Sequence, residues 1–284
     1  MIEVIFLYGL ALIWLIFAVI SDIKSSEIPN WLNFSLIIFA FGFRFFYSLF
    51  ASTDFSFFYQ GFIGFILFLA LANLFYYCKM FAGGDMKLMI SLGAVLPIFS
   101  TFSQNLKVLF IFIFLYLFVG AIYGLVMSIS LSIIHAKNFR KGFVYLFKEN
   151  KKLVMVSILF AIIFVFLSFY IISLFYFGIL LFVFPYFYLF LKSVDDFCMV
   201  RKVPVNKITI GDWLSEDVKI GKKLIRATWN GLSEEEIKVL RKRGRKFLIR
   251  YGIQFSPVFL ISFILLWIFL ETNTFELFFR SLGF

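Results

Sequence analysis

The chain has 284 residues, of which 63% are hydrophobic and 23% aromatic, and its formal net charge is +11. This composition excludes an ordinary soluble domain, in which about half of the residues are apolar. Apolar stretches of about 18 residues or more recur, and each can cross the hydrocarbon core of a bilayer. The sequence therefore predicts a polytopic membrane protein. Its excess of Lys and Arg is expected in cytoplasmic loops and at anionic membrane lipids, and does not require nucleic acid as a partner.

The first predicted span covers residues 4–21. Glu3 is the only charge before it, and Lys24 is the first cation after it. Because cytoplasmic loops carry the cations, the N-terminus is expected outside and Asp22 at the cytoplasmic face. A polar loop from Ser21 to Asn30 follows, and its proline ends helical continuation from the first span.

Three further spans are predicted at residues 31–50, 57–77 and 86–102. Arg44 lies in the second and is expected to snorkel to the headgroups. The third span returns to the cytoplasm and delivers the turn Gly83-Gly84-Asp85 there. Pro97 is expected to kink or end the fourth span near the outside.

The second half of the chain continues this alternation. A fifth span is predicted within residues 106–134, followed by a basic loop at 135–152. The apolar run 153–191 is nearly twice as long as one span needs, so we expect two spans joined by a turn near 173–178. A single tilted span is the alternative. With a last span at 255–270, the total is about eight.

Residues 192–250 are the largest polar region and are predicted to form a small cytoplasmic α+β insertion, placed inside by its many cations. Residues 207–210 are expected to form a strand. Ser233 and Glu236 have the spacing of a capping box, which predicts a helix from there to about residue 248. The fold class is therefore all-α polytopic with this insertion. The predicted division is a transmembrane catalytic core (1–191), a basic subdomain (192–250) and a final helix with an external tail (251–284).

Two carboxylates are the candidate catalytic groups. Asp22 closes the first predicted span and Asp85 opens the fourth, both at the cytoplasmic face. Carboxylates at membrane depth are costly, which makes each a candidate for function. Two carboxylates held close together share a proton near neutral pH, and such a pair can hydrolyse a peptide bond without a metal. The sequence itself does not establish that the two are close.

These motifs resemble a known family. Asp22 followed by Ile28-Pro29-Asn30, and later Gly84-Asp85-Met86-Lys87-Leu88, are similar to the prepilin and preflagellin (prearchaellin) peptidases, the type IV leader peptidases of the Gly-x-Gly-Asp class. The stretches Gly211-Asp212-Trp213-Leu214 and Phe255-Ser256-Pro257 resemble the archaeal branch. In that family the two matched aspartates form the catalytic pair, which implies that role for Asp22 and Asp85.

The chain departs from the family pattern at two points. Ala82 stands where the first glycine of Gly-x-Gly-Asp is expected, and alanine disfavours a left-handed backbone there. Bacterial members carry paired Cys-x-x-Cys motifs, whereas this chain has only Cys78 and Cys198. Neither a zinc site nor a methyltransferase activity is therefore carried over, and no metal or cofactor is expected.

The resemblance implies a membrane endopeptidase that removes a short basic leader from a type IV pilin-like or archaellin precursor at the cytoplasmic face of the cell membrane. Four charged residues are supporting candidates, together with Gly83 and Gly84 of the turn. Glu27, Asp195 and Asp196 are expected to face the basic leader, although each is also interpretable as a solvated loop charge. Lys87 is expected either to adjust the charge of Asp85 or to snorkel.

Two alternatives stay open from the residues alone. A transporter also carries intramembrane acids, but it is expected to show inverted repeats and broken helices near the midplane. A presenilin-type protease is expected to carry a Tyr-Asp pair within a span, whereas Asp22 follows Ser21 at the end of one.

Overall fold

The computed structural model describes residues 2–50, 54–220, 223–229, 231–242, 244 and 246–272 of the chain. Its helices are α1 (Ile2–Ser25), α2 (Asn30–Phe50), α3 (Ser56–Tyr77), α4 (Gly83–Gly93), α5 (Phe102–Ile134), α6 (Ala136–Glu149), α7 (Lys151–Leu167), α8 (Ser173–Ser193), α9 (Glu234–Arg241) and α10 (Ser256–Glu271). Its strands are β1 (Val200–Pro204), β2 (Trp213–Leu214), β3 (Val218–Ile220), β4 (Lys223–Ile225) and β5 (Lys246–Arg250). The chain forms two compact units, Met1–Tyr123 with Gln254–Phe284 and Gly124–Ile253, and each is described separately.

Five helices in the described part of the chain are long and apolar enough to cross a membrane. They are α1, α2, α3, α5 and the segment Ser173–Cys198. The pair α6 and α7, bent by 72° at a short break, makes a sixth candidate if it is counted as one broken span. A polytopic, mostly helical chain with a small strand-containing insertion is thus confirmed, whereas the count of eight spans is not. The predicted external tail lies outside the described residues.

The core of the first unit explains why Asp22 is buried. In α1, Leu7, Ala11, Leu15 and Ala18 follow one another at intervals of three or four residues, and each is fully buried. This spacing places them on one face of a helix. Asp22 continues the same stripe four residues after Ala18 and is only 8% exposed. The buried face of α1 therefore ends with a carboxylate, which lies inside the protein.

Helix α4 is much shorter than predicted. It ends at Gly93, and the chain continues to Pro97 as a buried, non-helical segment. Arg44 stabilises this break, since its guanidinium donates hydrogen bonds to the backbone carbonyls of Ala94, Val95, Pro97 and Phe57. Snorkelling of Arg44 was therefore a wrong prediction, because the side chain is fully buried and occupied with carbonyls that a helix end leaves unpaired.

The second unit begins with the end of α5 and the amphipathic helix α6, which replaces the loop predicted at residues 135–152. The predicted loop was wrong because the charged residues of this segment lie on one face of a helix whose other face is buried. Gly142 and Leu146 point inward while Lys137, Arg140 and Lys141 stay exposed. Helices α7 and α8 then pack on each other, joined by a turn at residues 168–172, just before the turn that the sequence predicts.

The insertion contains a three-stranded antiparallel sheet in the order β1-β5-β2 and a separate β3-β4 hairpin. The predicted capping box is confirmed: the Ser233 hydroxyl accepts from the Glu236 N–H, and the Glu236 carboxylate accepts from the Ser233 N–H. The helix ends at Arg241, however, because residues 246–250 pair with β1 and β2. The strand predicted at 207–210 is absent there, and a 3-10 turn precedes Ile208 instead.

Candidate functional site

The side chain of Asp22, near the end of α1, lies beside the first residue of a neighbouring helix, α10. The backbone N–H of Ser256, the first residue of α10, lies 3.4 Å from Asp22 Oδ2. Nearby, Gln254 Nε2 donates to Ser26 Oγ at 3.2 Å, which ties the end of α1 to the approach to α10. The first N–H groups of a helix have no helical partner and carry the positive end of its dipole. The Asp22 carboxyl group therefore faces the positive end of the α10 dipole.

Asp85 is held by the first turn of α4. Ala82 is the N-cap residue, and its backbone N–H faces the Asp85 carboxyl group three residues later and acts to lower the pKa of that group. This is one half of a capping box. Ala82 has φ −75° and ψ 163°, so its backbone is extended and suits alanine. The absence of the first glycine of the motif consequently causes no strain at this point.

The two predicted glycines have different surroundings. A Cβ added at Gly83 would have nothing within 4 Å, whereas one added at Gly84 would lie 3.5 Å from the Ile28 side chain. That is ordinary van der Waals contact. The start of α4 therefore lies against Ile28, in the loop that follows Asp22, and the space there does not itself require a glycine.

Asp22 lies within electrostatic range of Asp85. Partial burial of Asp85 raises its pKa well above the usual carboxyl range, the negative charge of Asp22 raises it further, and the Ala82 N–H acts weakly in the opposite direction. Asp85 is therefore the member of the pair that keeps a proton. One ionised and one protonated carboxyl group side by side can act as general base and general acid.

A cluster of aromatic side chains that the sequence did not single out includes one residue within electrostatic range of Asp85. The aromatic cluster consists of Phe81, Tyr116, Phe255 and Phe259. The Tyr116 ring centroid lies 4.5 Å from that of Phe259, 5.6 Å from that of Phe81 and 6.4 Å from that of Phe255. Tyr116 belongs to α5 and lies within electrostatic range of Asp85. Its neighbours come from distant parts of the chain, so no local spacing could have identified it.

The supporting candidates lie in various places. Lys87 Nζ donates to Asn30 Oδ1 at 2.6 Å, so it joins α4 to the start of α2. Glu27 is exposed in the loop after α1. In the second unit, Arg250 donates to Asp195 Oδ2 at 2.7 Å and to Asp196 Oδ1 at 2.9 Å, so both carboxylates already have a cationic partner. Within the described ranges no three His, Cys, Asp or Glu side chains form a potential metal-binding group.

Comparison with known proteins gives one result. A family model described as the type IV leader peptidase family matches residues 9–125, a range that contains both Asp22 and Asp85. No curated protein matches the chain significantly, and neither does any solved structure.

Proposed function

Because residues 9–125 match a family model described as the type IV leader peptidase family, we propose that this membrane protein is an aspartic endopeptidase whose catalytic pair is Asp22 and Asp85. The family indicates a protease that processes prepilin-type precursors. The observation that carries the proposal is that Asp22 and Asp85, which come from different helices, lie close enough for the charge of Asp22 to raise the pKa of Asp85.

The pair divides the work of hydrolysis according to its surroundings. Asp22, ionised at the start of α10, removes a proton from a water molecule whose oxygen attacks the scissile carbonyl carbon. Asp85 gives its proton to the carbonyl oxygen as negative charge develops there. When the carbon–nitrogen bond breaks, the leaving nitrogen takes the proton that Asp22 received, and the carbonyl re-forms as the intermediate's hydroxyl proton returns to Asp85. The cycle ends with the starting charges restored.

The substrate is the precursor of a type IV pilin-like or archaellin subunit, with a short basic leader before an apolar helix. That helix packs among the spans and places the bond near the carboxylates at the cytoplasmic face. Glu27, exposed beside the end of α1, contributes negative charge for the leader.

Cleavage of a defined precursor tests the proposal. The full chain, purified in detergent, is incubated with pilin-like and archaellin precursors, and the new N-terminus is mapped by mass spectrometry. We expect one cut between the basic leader and the apolar helix. A preparation carrying Asp85→Asn, made in parallel, excludes a contaminating peptidase. Intact precursors throughout, or equal cleavage by the variant preparation, would contradict the proposal.

A further inference from the structure

We propose that the Tyr116 hydroxyl is a third catalytic group, which donates a hydrogen bond to the substrate's carbonyl oxygen as that oxygen becomes negative. This inference rests on the proposed peptidase function. Tyr116 lies on α5, which contributes neither of the two carboxylates. Its side chain is only 2% exposed, and its hydroxyl has no hydrogen-bond partner among the described residues.

Burying a hydroxyl without a hydrogen-bond partner destabilises a protein. A phenylalanine would fill the same space without that cost. The hydroxyl is therefore not explained by packing. It has no hydrogen bond to Asp85 or to any other described residue, so its proton is available to a group that arrives with the substrate.

The aromatic cluster fixes where this hydroxyl lies. Phe81 contacts the Tyr116 ring edge-on and is four residues before Asp85. Phe255 and Phe259 also contact the Tyr116 ring. Phe255 directly precedes Ser256, whose backbone N–H faces Asp22, so these contacts link Tyr116 to the surroundings of the second carboxylate. Tyr116 therefore packs against the segment that leads to Asp85 and against the segment that contacts Asp22. It also lies within electrostatic range of Asp85.

This placement suits an oxyanion donor. A donor that is fixed before the reaction stabilises the developing charge without further reorganisation, and loss of one such donor typically lowers kcat by about 100- to 1000-fold. Asp85 supplies the proton, and the Tyr116 hydroxyl adds a second, neutral hydrogen bond to the same oxygen. No proton leaves Tyr116 in this role.

Tyr8 offers a matched control in the same unit. Its side chain is 5% exposed, its hydroxyl also has no partner among the described residues, and its ring stacks on Phe263 and contacts Trp267 at a tilt. It lies on α1 fourteen residues before Asp22, which is about 21 Å along the helix. Tyr8→Phe and Tyr116→Phe therefore remove the same buried group, one far from the carboxylates and one beside them.

The test compares precursor cleavage and thermal stability of the full-length wild type, Tyr116→Phe and Tyr8→Phe. We expect Tyr116→Phe to lower kcat about 100-fold with KM nearly unchanged, while Tyr8→Phe keeps the wild-type kcat. Neither variant should lose stability, because the removed hydroxyl had no partner to lose. This combination separates a catalytic role from a structural one.

Three results would overturn the inference. The first is a wild-type kcat in Tyr116→Phe. The second is a rise in KM alone. The third is a loss of kcat accompanied by a fall in melting temperature that Tyr8→Phe does not show. All three leave the peptidase proposal intact, whereas a wild type that cleaves no precursor contradicts that proposal and this inference with it.

Discussion

Asp85 shows how a residue's surroundings set its chemistry. Its sequence context predicted a helix start, and the structure confirms that α4 begins there. The raised pKa could not be predicted, because it depends on burial by other helices and on Asp22, which is distant in the chain. Ala82 is a similar case: its extended backbone makes a glycine unnecessary.

The raised pKa of Asp85 predicts a pH dependence of stability. A carboxyl group whose pKa is higher in the folded state stabilises the fold fully below its unfolded pKa of about 4, and this contribution is lost as pH rises through the folded value. Wild type should therefore lose thermal stability relative to Asp85→Asn as pH rises from about 5 to about 9, since the amide cannot ionise.

Melting temperatures of both proteins in detergent across this range provide the measurement. Glu149→Gln, which changes an exposed carboxylate on α6, is the control and should run parallel to wild type. Parallel curves for wild type and Asp85→Asn would show that Asp85 does not keep its proton in the folded protein.

At the scale of elements, local sequence patterns predicted the presence of helices better than the residues at which those helices end. Helices α1, α2 and α3 lie close to their predicted ranges, because continuous apolar runs between polar loops define them. The end of α4 depends on Arg44, which lies about fifty residues earlier in the chain, and β5 depends on pairing with β1. Helix α6 is a different case. The spacing of its inward-facing residues is visible in the sequence, but its many charges are also typical of a loop.

The packing of α3 on α4 predicts a glycine-specific defect. A Cβ on Gly64 would lie 2.7 Å from the Gly93 carbonyl oxygen and closer still to Pro97. Gly64→Ala should therefore destabilise the protein by about 1–3 kcal/mol, because the backbone cannot yield without moving α4. Thermal unfolding in detergent measures the change.

Gly42 in α2 is the control for this substitution. A Cβ there would meet nothing within 4 Å, so Gly42→Ala should be neutral or slightly stabilising through its better helix propensity. Equal melting temperatures for the two alanine variants would contradict the close approach of α3 and α4.

At the scale of the whole molecule, the sequence predicts which parts face the cytoplasm. A cysteine at Lys202, exposed in the basic insertion, should be protected from an impermeant maleimide in intact cells, whereas one at Tyr170, in the exposed turn between α7 and α8, should react. Both cysteine variants also carry Cys78→Ser, because the native Cys78 is exposed and can itself be labelled. Labelling at Lys202→Cys and protection at Tyr170→Cys would mean the reverse orientation.

The central claim is that Asp22 and Asp85 act as one catalytic unit. The most direct test is the single-turnover cleavage rate of wild type, Asp22→Asn, Asp85→Asn and the double variant on one precursor. Each single change should reduce the rate by on the order of 10³-fold or more, and the double variant should be scarcely slower than either, because effects within a unit are not additive. Substantial cleavage by either single variant, or losses that multiply in the double variant, would contradict the claim.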